Sequence, residues 1–391
     1  MKIVYSLSHP AHRLDSGAAG HTVRARALLG ALERRGHEIV TMQAATDQAT
    51  QSAVKTYHGL VKKLLPRPVA MRMRDMARVR FSRRYAQLLF DGLQQHRPDL
   101  ILETHNGFAV AGKLASERSG LPLVLDDVAP SWEEEREFGV GLKQRALNIY
   151  REVTGHASLL VAVNDVMRQL LIEDGVPATK LVTVSNGIDP DYFHPNIDGS
   201  AARAQYAIPA ETIVIVFVGS FQTYHRVDLL LEAFSRVTPN QTAHLLLVGD
   251  GKRAPEARDQ TQRLGLSDHV TFCGRIPYED VSRYVAAGNV TIMPATNSYG
   301  NPMKIYEYAA MGKAILAPNQ ETITEIVAHD ESAYLFAPED VDSMAAALTA
   351  VIQDGALRQR LRQNATQLAH KHTWEQRAIA LEQAIQQVIA S

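Results

Sequence analysis

Two ionisable side chains, Lys304 and Glu307, follow a Gly300–Pro302 turn in the stretch NSYGNPMKIYEYAAMGKAILAP. Proline just ahead of an apolar periodic run predicts a helix beginning there. The start of a helix carries unpaired amides and the positive end of its dipole, so with Lys304 beside it this end attracts a pyrophosphate. Glu307 falls about one turn deeper, where a carboxylate can accept two hydrogen bonds from ribose hydroxyls. Its neighbours Ile305, Ala309, Ala310 and Met311 are apolar, and a carboxylate among them is costly to bury without partners. The alternative is a half-exposed, ion-paired Glu307.

Three further turns have the same character. In VGSFQTYHRVDLLLEAF an apolar run ends at Gly219, and a polar loop with His225 and Arg226 leads into a helix. Arg and protonated His both donate well to phosphate oxygens, although either residue can equally cap the helix or face solvent. Gly249-Asp250-Gly251 and Gly274-Arg275-Ile276-Pro277 close the next two apolar runs, at strand ends of the sort that hold a base through backbone groups. In the first half, LDSGAAGHTVRARALLGALERRGHEIV passes from a strand end through Gly17 and Gly20 into a helix starting near His21. This suits an anion but also fits a plain strand–helix loop.

These turns require strands to precede them and helices to follow. The strand candidates are KIVYSL, HEIVTM, LILE, LVLDD, LLVAV and LVTVS in the first half, and IVIVFVG, HLLLVGD, VTFCG, VTIMP and AILAP in the second. Short apolar runs alternating with helical patterns predict an α/β class with parallel sheets, here two Rossmann-like doubly wound domains. The turn formers and prolines of VSNGIDPDYFHPN (Val184–Asn196) mark the boundary. Residues 1–190 form one expected domain and 191–372 the other. In the tail 373–391, Trp374, Ala378, Leu381, Ile385 and Val388 recur at helical spacing, and this helix is expected to pack back onto the first domain. Ligands bind beyond the carboxyl ends of open parallel strands, so two such edges facing one another would make a cleft for two substrates.

Bulk properties narrow the function. The chain has 391 residues, enough for two domains at roughly 100–200 each, and a formal net charge of −1, which excludes a general basic bias toward nucleic acid. With a single cysteine, Cys273, no intrachain disulfide is possible. The N-terminal apolar run is too short for a signal peptide, and no other run nears the ~20 residues that span a bilayer, so a cytoplasmic protein is expected. Between 54 and 90, ten Lys or Arg meet one acid, Asp75, with Leu60, Leu64, Leu65, Val69, Met71, Met73 and Met76 interleaved. This stretch reads as peripheral contact with an anionic membrane at its inner face, as a solvated helical pair lining an anionic acceptor site, or merely as a charged face. No HExxH or Cys/His cluster is present, and the pairs His9/His12 and His370/His372 read as surface residues, so no metal is expected.

The order of these motifs resembles glycosyltransferase family 4, retaining enzymes of GT-B fold, over essentially the whole chain and most strongly from VSNGIDPDYFHP through NPMKIYEYAAMGKAILAP to Glu325–Val327. The resemblance implies a Glu-x7-Glu pattern whose second carboxylate is Glu307, on the donor ribose, while its first position falls on Tyr299. The backbone amides of Asn301, Pro302–Met303 and Lys304, helped by Tyr299 or Ser298, are the expected contacts for the donor sugar. Family arginine and lysine positions in the Gly219 loop align with Ser220 and His225. A subset of the family has such a loop, Lys304 and Arg226 can supply charge there, and His225 would make donor binding pH-dependent. The family places a polar residue near the reacting sugar after the strand LILE, which nominates Glu103, His105 and Asn106 as catalytic candidates. Asp126, Asp127, Glu133 and Glu134 are acceptor-side candidates, or else belong to a solvated acidic loop.

The activity so implied is retaining transfer of a hexose-type sugar from a UDP- or GDP-sugar to a hydroxyl acceptor, with no cofactor or metal, in cell-surface polysaccharide or lipid-linked glycan synthesis. Alternatives are a small-molecule acceptor, a GT-B sugar-nucleotide epimerase or hydrolase, and a non-catalytic GT-B binding protein. A Rossmann dehydrogenase is disfavoured because no Gly-x-Gly-x-x-Gly fingerprint occurs.

Overall fold

A computed structural model of the chain describes residues 1–9, 13–14, 20–44, 66–126, 139–237 and 242–390. Its internal contacts divide it into two units, Met1–Ser185 with Glu375–Ser391, and Asn186–Trp374. The chain thus crosses between units a few residues before the expected 190 and again just after the expected 372.

In the first unit strand and helix alternate: β1 (Lys2–Leu7), α1 (Gly20–Arg34), β2 (Glu38–Gln43), α2 (Arg67–His96), β3 (Leu100–Thr104), α3 (Ala111–Ser119), β4 (Leu123–Asp126), α4 (Lys143–His156), β5 (Leu159–Ala162), α5 (Asp165–Glu173) and β6 (Leu181–Thr183). The six strands pair in parallel in the order β2-β1-β3-β4-β5-β6. Ile3, Val4, Leu100, Ile101, Leu123 and Val124 are completely enclosed. That is why these strands are continuous apolar runs: a parallel sheet is covered on both faces. The winding reverses between β1 and β3, so their carboxyl ends flank a switch point.

The second unit runs α6 (Ser200–Gln205), β7 (Ile213–Val218), α7 (Val227–Val237), β8 (Ala243–Val248), α8 (Ala254–Arg263), β9 (Val270–Gly274), α9 (Tyr278–Ala287), β10 (Val290–Ile292), α10 (Met303–Ala310), β11 (Ala314–Pro318), α11 (Glu321–Thr324), β12 (Tyr334–Phe336), α12 (Val341–Gln353) and α13 (Gly355–Ala369). Its parallel sheet has the order β12-β11-β10-β7-β8-β9, with the switch point between β7 and β10. Ile215, Phe217, Leu245, Leu247, Ile292 and Leu316 belong to a core cluster on one face, and Ile305, Tyr306, Tyr308, Ala309 and Ile315 to another. β12 was not anticipated, because three residues are too few to show a period.

α14 (Trp374–Ala390) ends the chain. Ala378, Leu381 and Ile385 are fully buried at the expected helical spacing. Arg35, just past the end of α1, meets Glu375 at 3.0 Å and Glu382 at 2.6 Å, which ties α14 to the first unit.

Candidate functional site

In the second unit, three strand ends are drawn together at glycines. The Gly219 amide donates to Val248 O at 2.9 Å, and the Gly249 amide to Gly274 O at 2.8 Å. Gly249 has φ +130°, a backbone state closed to most L residues, and a Cβ there would overlap the Gly219 carbonyl. A Cβ on Gly219 would press on Lys304 Nζ, Phe217 and His225. The glycines therefore allow close approach of backbone to backbone beneath the switch point.

α10 faces this loop across the switch point. Pro302 precedes its first residue, Met303, and no side chain caps the helix; the Ile305 amide donates to the Pro302 carbonyl at 3.2 Å, which leaves the Met303 and Lys304 amides for a ligand. Half-buried Lys304 puts Nζ 5.1 Å from the Phe217 ring centroid and 3.0 Å from His225 Nε2. Burial lowers its pKa to about 7. Glu307 is 5% exposed and accepts a 2.9 Å hydrogen bond from the Tyr278 hydroxyl. Burial raises its pKa to about 7, against the opposing pull of Tyr278 and Lys304. The half-exposed alternative for Glu307 is thereby corrected: the carboxylate is enclosed and partnered.

His225 requires a correction too. Its ring is buried between Phe217 and Tyr224, and Nδ1 donates to the Ser220 carbonyl. Nε2 is then left to accept from Lys304. Burial foremost, with the Lys304 charge, pushes its pKa down to about 2. His225 is therefore a neutral strut for Lys304 and neither a cationic phosphate ligand nor a pH sensor near neutrality. Arg226 was expected to add charge, but its guanidinium is held by Asp228 at 2.9 Å and by Glu339. Ser220 and Arg275 are exposed, and Ile276 is half-buried against the core.

The turn before α10 is tightly fixed. Asn301 is buried; its Oδ1 accepts from the Asn186 amide at 2.8 Å, and its carbonyl accepts from Asn186 Nδ2 at 2.5 Å. Asn301 Nδ2 donates to the Tyr306 hydroxyl at 3.1 Å. Gly300 abuts the Asn297 side chain, which a Cβ there would displace. Tyr299 is half-buried and Ser298 exposed. Asn186, Tyr278 and Tyr308 were missed in the sequence reading. Tyr308 is fully buried and its hydroxyl accepts from the Val218 amide at 2.9 Å, where β10 no longer accompanies β7 beyond Thr291↔Val216. The only clue was position: Asn186 lies in the boundary turn, and Tyr308 lies next to Glu307.

The rim of the first unit is organised differently. Asn106 Nδ2 donates to Ser8 Oγ at 2.9 Å, joining the chain beyond β3 to that beyond β1 at the switch point. His105 stands edge-on to Tyr150, 6.0 Å between centroids, and lines a small recess with Asn106, Phe108 and Ile149. Phe108 takes φ +67°, beneath the guanidinium of Arg78. Glu103, by contrast, points into the core. It is 1% exposed, accepts from Ser6 Oγ at 2.7 Å and from the Gly112 amide at the start of α3, and burial lifts its pKa to about 7. Its catalytic candidacy is thereby corrected to a helix-anchoring role. Asp126 likewise is no acceptor contact: Arg24 holds it bidentately at 2.8 and 3.1 Å, and Arg24 also donates to Val184 O at 2.9 Å. Gly20 is the exposed first residue of α1. Gly17, Asp127, Glu133 and Glu134 lie outside the described residues, as does the basic stretch before residue 66.

Two family models match in succession. Residues 19–187 match the Glycosyl transferase 4-like domain, and residues 198–368 match Glycosyl transferases group 1. The chain belongs to glycosyltransferase family 4. Relatives of this family 4 chain include the D-inositol 3-phosphate glycosyltransferase of Nocardioides sp., 29% identical over 68% of this chain and 62% of that one. The same-named protein of Jonesia denitrificans is 24% identical over 95% of both chains. The chain thus spans less than two thirds of the Nocardioides protein. Among solved structures, Anabaena HepE in complex with UDP aligns over 99% of this chain and 100% of its own, at a TM-score of 0.76 and 19% identity. Sucrose-phosphate synthase of Thermosynechococcus elongatus aligns over 100% of both, at 0.78 and 18%. These likenesses show the GT-B fold. Among the described residues of this family 4 chain no group of three or more His, Cys, Asp or Glu could hold a metal ion, and no helix is long and apolar enough to cross a membrane.

Proposed function

We propose that this family 4 chain is a retaining glycosyltransferase that moves a hexose-type sugar from a nucleoside-diphosphate sugar to a hydroxyl acceptor without a metal. The observation that carries the reading is the pairing of Lys304 and Glu307 on one short helix at the β7–β10 switch point. Lys304 and the first-turn amides of α10 stabilise the departing diphosphate, where charge develops in the transition state. Glu307, kept in place by Tyr278, takes the ribose hydroxyls. The anomeric bond to the diphosphate breaks as the acceptor oxygen bonds on the same face, and the acceptor proton passes to the leaving diphosphate oxygen. His105 and Asn106 are assigned to the sugar and acceptor.

A UDP-sugar is favoured over a GDP-sugar because HepE structures contain UDP and UDP-glucose. The acceptor is placed in surface polysaccharide or lipid-linked glycan synthesis; the names of the curated relatives favour a small phosphorylated polyol as the second choice. Calorimetry with UDP, GDP and ADP, then NMR of the product anomer from UDP-glucose, tests the reading. Binding of none of the three nucleotides would refute it, and hydrolysis or epimerisation of the donor at equal rates with and without acceptor would replace it with a hydrolase or epimerase.

A further inference from the structure

We infer that the outer face of α2 is a docking surface for anionic lipid headgroups, with the helix lying along the membrane plane. The basic composition of this stretch was evident from sequence; the structure sorts its residues by face. Asp75, the one acid of α2 before Asp91, is fully buried and accepts from the Gly141 and Leu142 amides at 2.7 and 3.2 Å, so its carboxylate does not reach the surface. The inward-turned arginines have partners. Arg74 bonds Asp75 and the Gly139 carbonyl, and Arg78 lies over Phe108. Arg72, Arg80, Arg83 and Arg84 are all exposed on the opposite face, and none pairs with a described acid.

The same face carries the large apolar side chains that water should not see. Val69 is 43% exposed, Met73 39%, Met76 38% and Leu88 60%, four of the six exposed large hydrophobics of the described chain. At 3.6 residues per turn, positions 69, 72, 73, 76, 80, 83, 84 and 88 fall on one stripe about 30 Å long. The first acid on this stripe is Asp91, beyond its end, bonded to Gln87. An anionic bilayer interface satisfies both components at once: headgroup phosphates pair with the guanidinium groups, and the acyl boundary accepts the methionine, valine and leucine side chains. A nucleic-acid backbone would use the arginines but leave the apolar side chains in water.

The inference stands apart from the proposed transfer reaction, because it is read by vesicle binding rather than turnover. The full chain is floated with phosphatidylcholine vesicles, with and without about a third phosphatidylglycerol, a content that gives the surface its negative potential. The wild type should bind only the anionic vesicles and be released by salt. The variants R72S/R80S/R83S/R84S and V69S/M73S/M76S/L88S should each bind at least about tenfold more weakly, with melting temperature and UDP affinity unchanged to show an intact fold. Failure of the wild type to bind anionic vesicles, or equal binding by either variant, would overturn the inference. Loss in the arginine variant alone would point to an acidic protein or a soluble polyanion.

Discussion

The two six-stranded parallel sheets are both doubly wound, with two strands on the short side of the switch point in the first unit and three on each side in the second, yet they treat charge at those switch points in opposite ways. In the second unit a cation and a carboxylate, Lys304 and Glu307, are brought to the rim, partly desolvated, over a floor of abutting glycine backbone. In the first unit the charges near the rim face inward: Glu103 anchors α3, and Asp126 is locked to Arg24 with side-chain exposures of 4% and 2%. What that rim presents is His105 and Asn106. One rim suits an anionic ligand such as a diphosphate. The other suits an uncharged hydroxyl, with its charges used for rigidity.

The comparison can be broken by substitution. Glu307→Ala should have the largest effect: losing an acceptor of two hydrogen bonds should lower kcat/KM about 100-fold or more with the melting curve retained. Full activity would remove the ribose assignment. Arg24→Ala should instead act on stability, by about 3–5 kcal/mol, because it leaves Asp126 buried and unpaired. Denaturant unfolding should show the loss while UDP affinity in native buffer stays unchanged; a matching fall in affinity would mean the rims are not independent. Lys304→Met should weaken UDP binding about tenfold, measured by calorimetry.

The smallest effect is the pH dependence. Lys304, at about 7, loses its proton as pH rises through that value, and a bound diphosphate favours the ammonium, so affinity falls on the alkaline side. Glu307, also at about 7, gains a proton as pH falls and becomes a poorer acceptor for ribose, so affinity falls on the acid side. UDP affinity should peak near pH 7 and change a few-fold over about one to two units either way. Lys304→Met should remove the alkaline limb. An acid limb that disappears in His225→Asn would contradict the neutral state assigned to His225.

Much of this was legible along the chain. Eleven of the twelve strands are visible as short apolar runs, the central ones because a parallel strand covered on both faces must be apolar throughout; the edge strand β2 is only partly covered, with Glu38 and Thr41 exposed. The turn–helix placement of Lys304 and Glu307 follows from Pro302 and the helical period. The side-chain errors share a cause. Glu103 and Asp126 stand at strand ends, where period and position nominate them for chemistry. Whether such a group points past the rim or back under a neighbouring helix depends on Ser6, Gly112 and Arg24, residues up to about a hundred positions away that no local pattern connects to them.

The sequence by itself determined the alternation of strand and helix, the two-part division and the glycines and prolines at the turns, since each follows from the local backbone and the 2.0 and 3.6 periodicities. Only the tertiary structure decided which ionisable groups remain available for a ligand. Burial sets the protonation state, and burial depends on which distant elements pack against each side chain. That is how His225 came to be a neutral support, Arg226 a paired surface residue, and Lys304 and Glu307 the two charges of the second rim.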